Sequence, residues 1–90
     1  NQQVKANLLY KSLMIMHKAI LKGEKKSLVL KNLFKKSINK DSDFKIDYIS
    51  IACNDSLKEL KVIQSNTLIS AAVYFHTIRL IDNFTYQPSM

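Results

Sequence analysis

From Val4 to Lys22 the apolar residues Leu9, Leu13, Met16 and Ile20 recur at spacings of four, three and four. That stacks them along one helical face, with Asn7, Lys11, Lys18 and Lys22 on the other. Gly23 stands where a helix ends in a left-handed residue, and Lys22 suits the negative end of the helix dipole. A second helix is expected over Ser27–Asn39, with Leu30, Leu33, Phe34, Ser37 and Ile38 as its inner stripe and Lys31, Lys35 and Lys36 outside. Lys40 to Asp43 reads as a polar turn.

The period then shortens to two. Phe44, Ile46 and Tyr48 alternate with Lys45 and Asp47, giving a strand with one wet face, while Ile49 and Ile51 load its other side. Asn54, Asp55 and Ser56 form a turn cluster. Residues 57–63 fit either a minor strand or an ordered loop. Leu68–Phe75 is apolar on both faces and is expected at the sheet's centre. Its small Ala71 and Ala72 should let a helix approach, so that Ala72→Phe would overpack the contact. Ile78–Phe84 forms the third strand, joined by a two-residue hairpin loop at His76-Thr77. His76 is therefore expected left-handed and exposed rather than acting as a ligand. The predicted fold is α+β, two N-terminal amphipathic helices packed on a three-stranded, mainly antiparallel sheet, in one domain spanning residues 1–90.

Composition limits the chemistry. Of the 90 residues, 47% are hydrophobic and 23% charged, which suits a globular chain. The one Cys excludes an intrachain disulfide and fits a reducing, cytoplasmic setting. No apolar run is long enough to span a membrane, and Lys11, His17 and Lys18 interrupt anything resembling a secretory signal. The chain starts at Asn1, so the natural start is expected elsewhere or removed. The net charge of +7 is lopsided, with +8 in residues 1–45 and −1 in residues 46–90. A small basic α+β module binding nucleic acid is thus one reading, but thirteen of the fourteen cations are Lys, which lacks the planar fork of Arg. An interleaved aromatic platform is not apparent either.

Site chemistry is sparse. Cys53, His17 and His76 share no ligand-like spacing, so His17 is expected on a helix flank and Cys53 as a small apolar filler at a strand end. With a lone Gly there is no phosphate cradle, and no nucleophile sits beside a His and a carboxylate. Asp41, Asp43 and Asp47 are expected to be capping or solvated, and Met14 and Met16 to belong to ordinary helix packing. Arg79 and Asp82 interrupt an apolar strand. They point to opposite faces in a regular strand, so each is expected to bond a loop or a neighbouring domain instead of the other.

Two segments, Ile46-Asp47-Tyr48-Ile49-Ser50-Ile51 and Arg79-Leu80-Ile81-Asp82-Asn83, resemble the C-terminal domain of the pantothenate synthetase (pantoate–β-alanine ligase) family. That family shows an "IDYIEI"-like strand, an Asp-x-Leu turn, an Ala-Ala strand and a closing "RLIDN". Asp55-Ser56-Leu57 and Ala71-Ala72 supply the middle parts in order. One departure is His76, at a position where the family usually carries Gly. The resemblance implies the covering domain of a two-domain cytoplasmic enzyme, partnered by its own N-terminal Rossmann-like catalytic domain, in a full enzyme that is a homodimer. It also implies ATP and Mg²⁺ as requirements of the full enzyme, with pantoate and β-alanine as substrates, and no membrane or nucleic acid as partner. The family's His-x-Gly-His and Ser-Ser-Arg-Asn motifs are absent from these residues. No catalytic, cofactor-binding or metal residue is therefore assigned within them, and the fragment alone is expected to be inactive.

Overall fold

A computed structural model of the chain describes residues 2–88, with side chains described from Asn7 to Pro88. Asn1 lies outside the described residues. The first helix, α1, runs Gln2–Leu21, and Leu9, Leu13, Met16 and Ile20 are all buried along it. It ends at Gly23, whose φ of 112° allows the N–H of Gly23 to bond Ile20 O and that of Glu24 to bond Ala19 O. These two bonds satisfy carbonyls that the helix end would otherwise leave open. The second helix, α2, spans Ser27–Ile38 and buries Ser27, Leu30, Phe34, Ser37 and Ile38. Where the helices meet, the Ser12 and Ser37 hydroxyls lie 2.6 Å apart, and Ser12 also donates to Leu8 O at 2.7 Å. Two small polar residues thus let the helices approach while leaving no hydroxyl unpaired.

Three antiparallel strands follow, β1 (Phe44–Cys53), β2 (Thr67–Phe75) and β3 (Ile78–Tyr86), in the order β1-β2-β3. β2 is central, as its two apolar faces predict. The helices cover one face of this sheet. Its inward residues are Phe44, Ile46, Ile49 and Ile51 on β1, Ile69, Ala71, Val73 and Phe75 on β2, and Leu80, Phe84 and Tyr86 on β3.

Two expectations change here. A β-bulge lies between Ile46 and Tyr48, so Asp47 is an extra residue and the alternation of β1 shifts by one. Tyr48 therefore leaves the side of Phe44 and Ile46, pairs with Ala72 and faces away from the helices. Ile46 and Ile49, which strict alternation would set on opposite faces, share the inner one. Ala72 also belongs to the outer face. It is fully buried between its strand neighbours, but the alanine beneath the helices is Ala71.

Residues 57–63 form an ordered loop rather than a strand. It runs along the free edge of β1, with Cys53 N donating to Lys58 O and Leu60 N to Ile51 O. Glu59 fastens it, accepting bonds from the Ser50 hydroxyl, Ile51 N and Lys31 Nζ, the last at 3.1 Å. Burial pushes the Glu59 carboxyl up, but the Ser50 and Lys31 bonds outweigh it and hold the group below its ordinary value. Among the described residues, two non-glycine residues have positive φ, Leu57 at 62° and His76 at 56°. His76 opens the two-residue hairpin loop and is exposed, as its sequence position predicts.

The two alanines should respond differently to enlargement. Ala71→Phe should cost about 1–3 kcal/mol in urea unfolding by overpacking the helix–sheet contact. Ala72→Phe, whose ring can lie outward, should cost less than about 1 kcal/mol, and the reverse ranking would mean the faces are misassigned.

Leu57 is well exposed and loses little contact on truncation. Leu57→Gly should therefore add about 1 kcal/mol by relieving the left-handed Cβ clash. His76→Gly should gain less, because its imidazole sits 3.6 Å from Asp43 and against the Phe75 ring. Thermal melts of both variants decide this, and a loss of stability in Leu57→Gly would contradict the account.

Because the folded carboxyl of Glu59 is the more acidic, its contribution is complete above the unfolded pKa of about 4.3 and fades as pH falls through the lower folded value. Its half-exposed position keeps the contribution under about 1 kcal/mol. The stability gap between the natural chain and Glu59→Gln should thus narrow as pH drops below about 4. A gap that stays constant from neutral to strongly acid pH would show that the carboxylate charge plays no part.

Candidate functional site

The sheet's outer face carries the best-defined constellation. Its rows, set by strand register, are Lys45–Tyr74–Arg79, Tyr48–Ala72–Ile81, Ser50–Ser70–Asn83 and Ala52–Leu68–Thr85. Arg79 reaches across the central strand to β1, where its Nε and Nη2 donate to Asp47 Oδ2 at 3.0 and 2.8 Å. The guanidinium also lies 5.9 Å from the Tyr48 ring centre. Hydrogen bonding to Asp47 makes Arg79 hold its proton more firmly than usual. Ala72 and Ala52 are buried flush between the strands, whereas Tyr48, Tyr74 and Ile81 stand out from the face.

Arg79 and Asp82 do not pair with each other, as alternation predicts. What the sequence does not reveal is the partner of Arg79, because the bulge that turns Asp47 towards it leaves no signature in the hydrophobic pattern. Asp82 points to the helix side of β3, and its Oδ1 accepts the Asn83 N–H at 2.8 Å. The carboxylate thereby occupies a backbone donor that an open strand edge would offer to another chain.

The remaining candidates stay apart. The His17 ring packs on Phe84 with centroids 4.9 Å apart, a helix-to-sheet contact on the flank where it is expected. Met16 is fully buried and Met14 half-buried, in keeping with helix packing. Cys53 departs from expectation. It is half-buried, and its thiol is held below its ordinary range first by the Ser56 hydroxyl and then by the backbone N–H groups of Ser56 and Asp55. It ends β1, at the strand end where it is expected, but its thiol faces the polar turn that follows rather than filling the core. Asp41 caps its turn by accepting Asp43 N at 2.9 Å. Among the described residues, no three His, Cys, Asp or Glu side chains converge as a metal site.

Two of the surface clefts hold an acidic side chain beside a basic one. One of about 610 Å³ lies between the start of α2 and the 59–61 segment, lined by Lys26, Leu28, Lys31, Glu59, Leu60 and Lys61. It is bordered by the Lys31–Glu59 ion pair and by the strongly exposed Leu28. The other, about 190 Å³, is formed by Ser42, Asp43, Lys45 and His76 at the hairpin end. Neither brings a nucleophile, a base and an orienting group together. Tyr48 and Tyr74 are an exposed aromatic pair that sequence reading missed, but α2 and its lysines lie on the opposite side of the sheet. Among the described residues, no helix is long and apolar enough to cross a membrane.

Comparison with known proteins gives one consistent result. The family model described as Pantoate-beta-alanine ligase matches residues 1–85. Pantothenate synthetase from Clostridium botulinum (strain Langeland) is 42% identical over 82 residues, covering 91% of this chain and 29% of that protein. The enzyme of the same name from Enterococcus faecalis is 37% identical over the same length, again 29% of that protein. The chain therefore spans less than a third of the length of these relatives. Among solved structures, a pantothenate synthetase from Thermus thermophilus superposes with a TM-score of 0.85 at 24% identity, over 97% of this chain and 31% of that one. The fold follows from that superposition, and the Clostridium and Enterococcus matches carry the kinship: the chain belongs to the pantoate–β-alanine ligase family.

Proposed function

We propose that these 90 residues act as the C-terminal, covering domain of an ATP-dependent ligase that condenses pantoate with β-alanine to give pantothenate, AMP and pyrophosphate. The observation that carries this reading is the family match over residues 1–85 together with the small share, 29%, of each relative that the chain represents. Most of the relatives' length, and with it the room for nucleotide chemistry, lies outside such a segment. The two phosphate-contacting motifs of the family fall outside these residues, which fits the same division.

The chemistry explains why a ligase needs such a cover. Pantoate is activated when its carboxylate displaces pyrophosphate from ATP, and the amine of β-alanine then attacks the acyl carbon and expels AMP. Water competes with the amine for the same carbon. A lid that closes over the site excludes that water and strengthens the polar contacts inside. In this reading ATP and Mg²⁺ are held by the N-terminal catalytic domain, the full enzyme is a cytoplasmic homodimer, and neither nucleic acid nor membrane is a partner. No residue of this chain is assigned to catalysis, cofactor or metal.

The test uses two proteins. The 90-residue chain, given ATP, Mg²⁺, pantoate and β-alanine, should form no pantothenate. A hybrid in which it replaces the matching 82-residue segment of the Clostridium botulinum synthetase should form pantothenate with saturable dependence on all three substrates. Saturable, ATP-dependent synthesis by the chain alone, or an inactive but folded hybrid, would overturn the proposal.

A further inference from the structure

Resting on that reading, we propose that the helix-free face of the sheet, centred on Tyr48, Tyr74, Arg79 and Ile81, is the surface by which this domain docks on the larger, catalytic portion of the ligase. Other surfaces are unsuited to it. The outer side of the helical layer exposes Tyr10, Ile15, Leu21, Leu28 and Val29, but interleaves them with Lys11, Lys18, Lys22, Lys35 and Lys36, and flexible, strongly hydrated Lys is depleted at interface cores. The free edge of β1 is taken by the loop around Glu59, and that of β3 is blunted where Asp82 accepts the Asn83 N–H.

The sheet face has the opposite character. It combines two exposed tyrosines, an isoleucine and an arginine, residue types that anchor interfaces, over a flush floor of Ala52 and Ala72. Its strongest charge is already compensated, since Asp47 holds Arg79 through two hydrogen bonds. Docking would therefore bury the Arg79–Asp47 pair, while the other cation of this face, Lys45 on the edge strand β1 beside the hairpin, stays at the rim in water, avoiding the largest desolvation cost.

Size selects the occupant. Three strands of nine or ten residues present a face of roughly 30 by 14 Å, or about 400 Å². Counting both sides, about 800 Å² would be buried, which lies within the range of contacts between domains of one chain. It falls below the roughly 1,200 Å² typical of stable association between separate molecules. A tethered domain therefore fits better than a second copy of this chain. The relatives supply such a domain, because about seven-tenths of their length lies outside the matched segment.

The experiment places a thiol on each candidate surface, Ile81→Cys on the sheet face and Lys35→Cys on α2. Labelling by iodoacetamide is compared between the 90-residue chain and the Clostridium hybrid, with peptide mass identifying each position. In the hybrid, Ile81→Cys should label at least about tenfold more slowly, because reaction then waits on opening of the interface. Lys35→Cys should label at the same rate in both proteins. If the unsubstituted hybrid makes pantothenate while Ile81→Cys labels at its free rate, the docking face is wrong and the ligase reading stands. An inactive unsubstituted hybrid overturns both. Protection of Ile81→Cys in the 90-residue chain itself, together with a dimer by sedimentation, would assign the face to a second copy and overturn the proposal.

Discussion

The extra residue in β1 sets the arrangement of everything around it. Strict alternation through Phe44-Lys45-Ile46-Asp47-Tyr48-Ile49 would put either Ile46 or Ile49 in water. The bulge at Asp47 inserts one position, so both isoleucines face the helices and pair with Val73 and Ala71 of β2. The same insertion turns Tyr48 outward and leaves Asp47 within reach of Arg79, two strands away. A local irregularity thus fixes the core on one side of the sheet and the Arg79–Asp47 bridge on the other. Bulges commonly re-aim side chains in this way at sheet edges and beside functional surfaces.

Much of the architecture was legible in the chain because its signals are local. The α1 stripe, the glycine that ends it, the α2 stripe and the hairpin between Phe75 and Ile78 each depend on residues a few positions apart. The bulge was not legible, since its cause is the pairing with β2 and not a residue type inside β1. The partner of Arg79 was hidden for the same reason. Ala71 and Ala72 look equivalent in sequence, and only strand register decides which one lies under the helices. Leu57 is a harder case. Nothing in its side chain favours a left-handed backbone, which is imposed by the turn that returns the chain along the edge of β1.

Function was legible to a different depth. The motif order pointed to the family because short strands and turns recur at fixed spacing, and the family match over residues 1–85 agrees. The candidate surface could not be read that way, since Tyr48, Tyr74, Arg79 and Ile81 come together only after folding. The charge imbalance, conspicuous in the composition, proves less informative. Exposed lysines populate the helices, interleaved with Tyr10, Ile15, Leu21, Leu28 and Val29, while the outer sheet face holds the neutralised Arg79–Asp47 pair, two tyrosine rings and, at its edge, Lys45. The lower density of free charge on the sheet face suits contact better than the lysine-rich helical side does.

The sidedness imposed by the bulge is the claim on which these conclusions rest, and through-space proton contacts measured by NMR test it most directly. The Tyr48 ring should show contacts to the Ala72 methyl and to Arg79, while the Ile49 side chain contacts Ala71 and the inward residues of the helices. Contacts from Tyr48 to Leu30 or Phe34, with Ile49 instead beside Arg79, would place the strand in the opposite register and contradict the account.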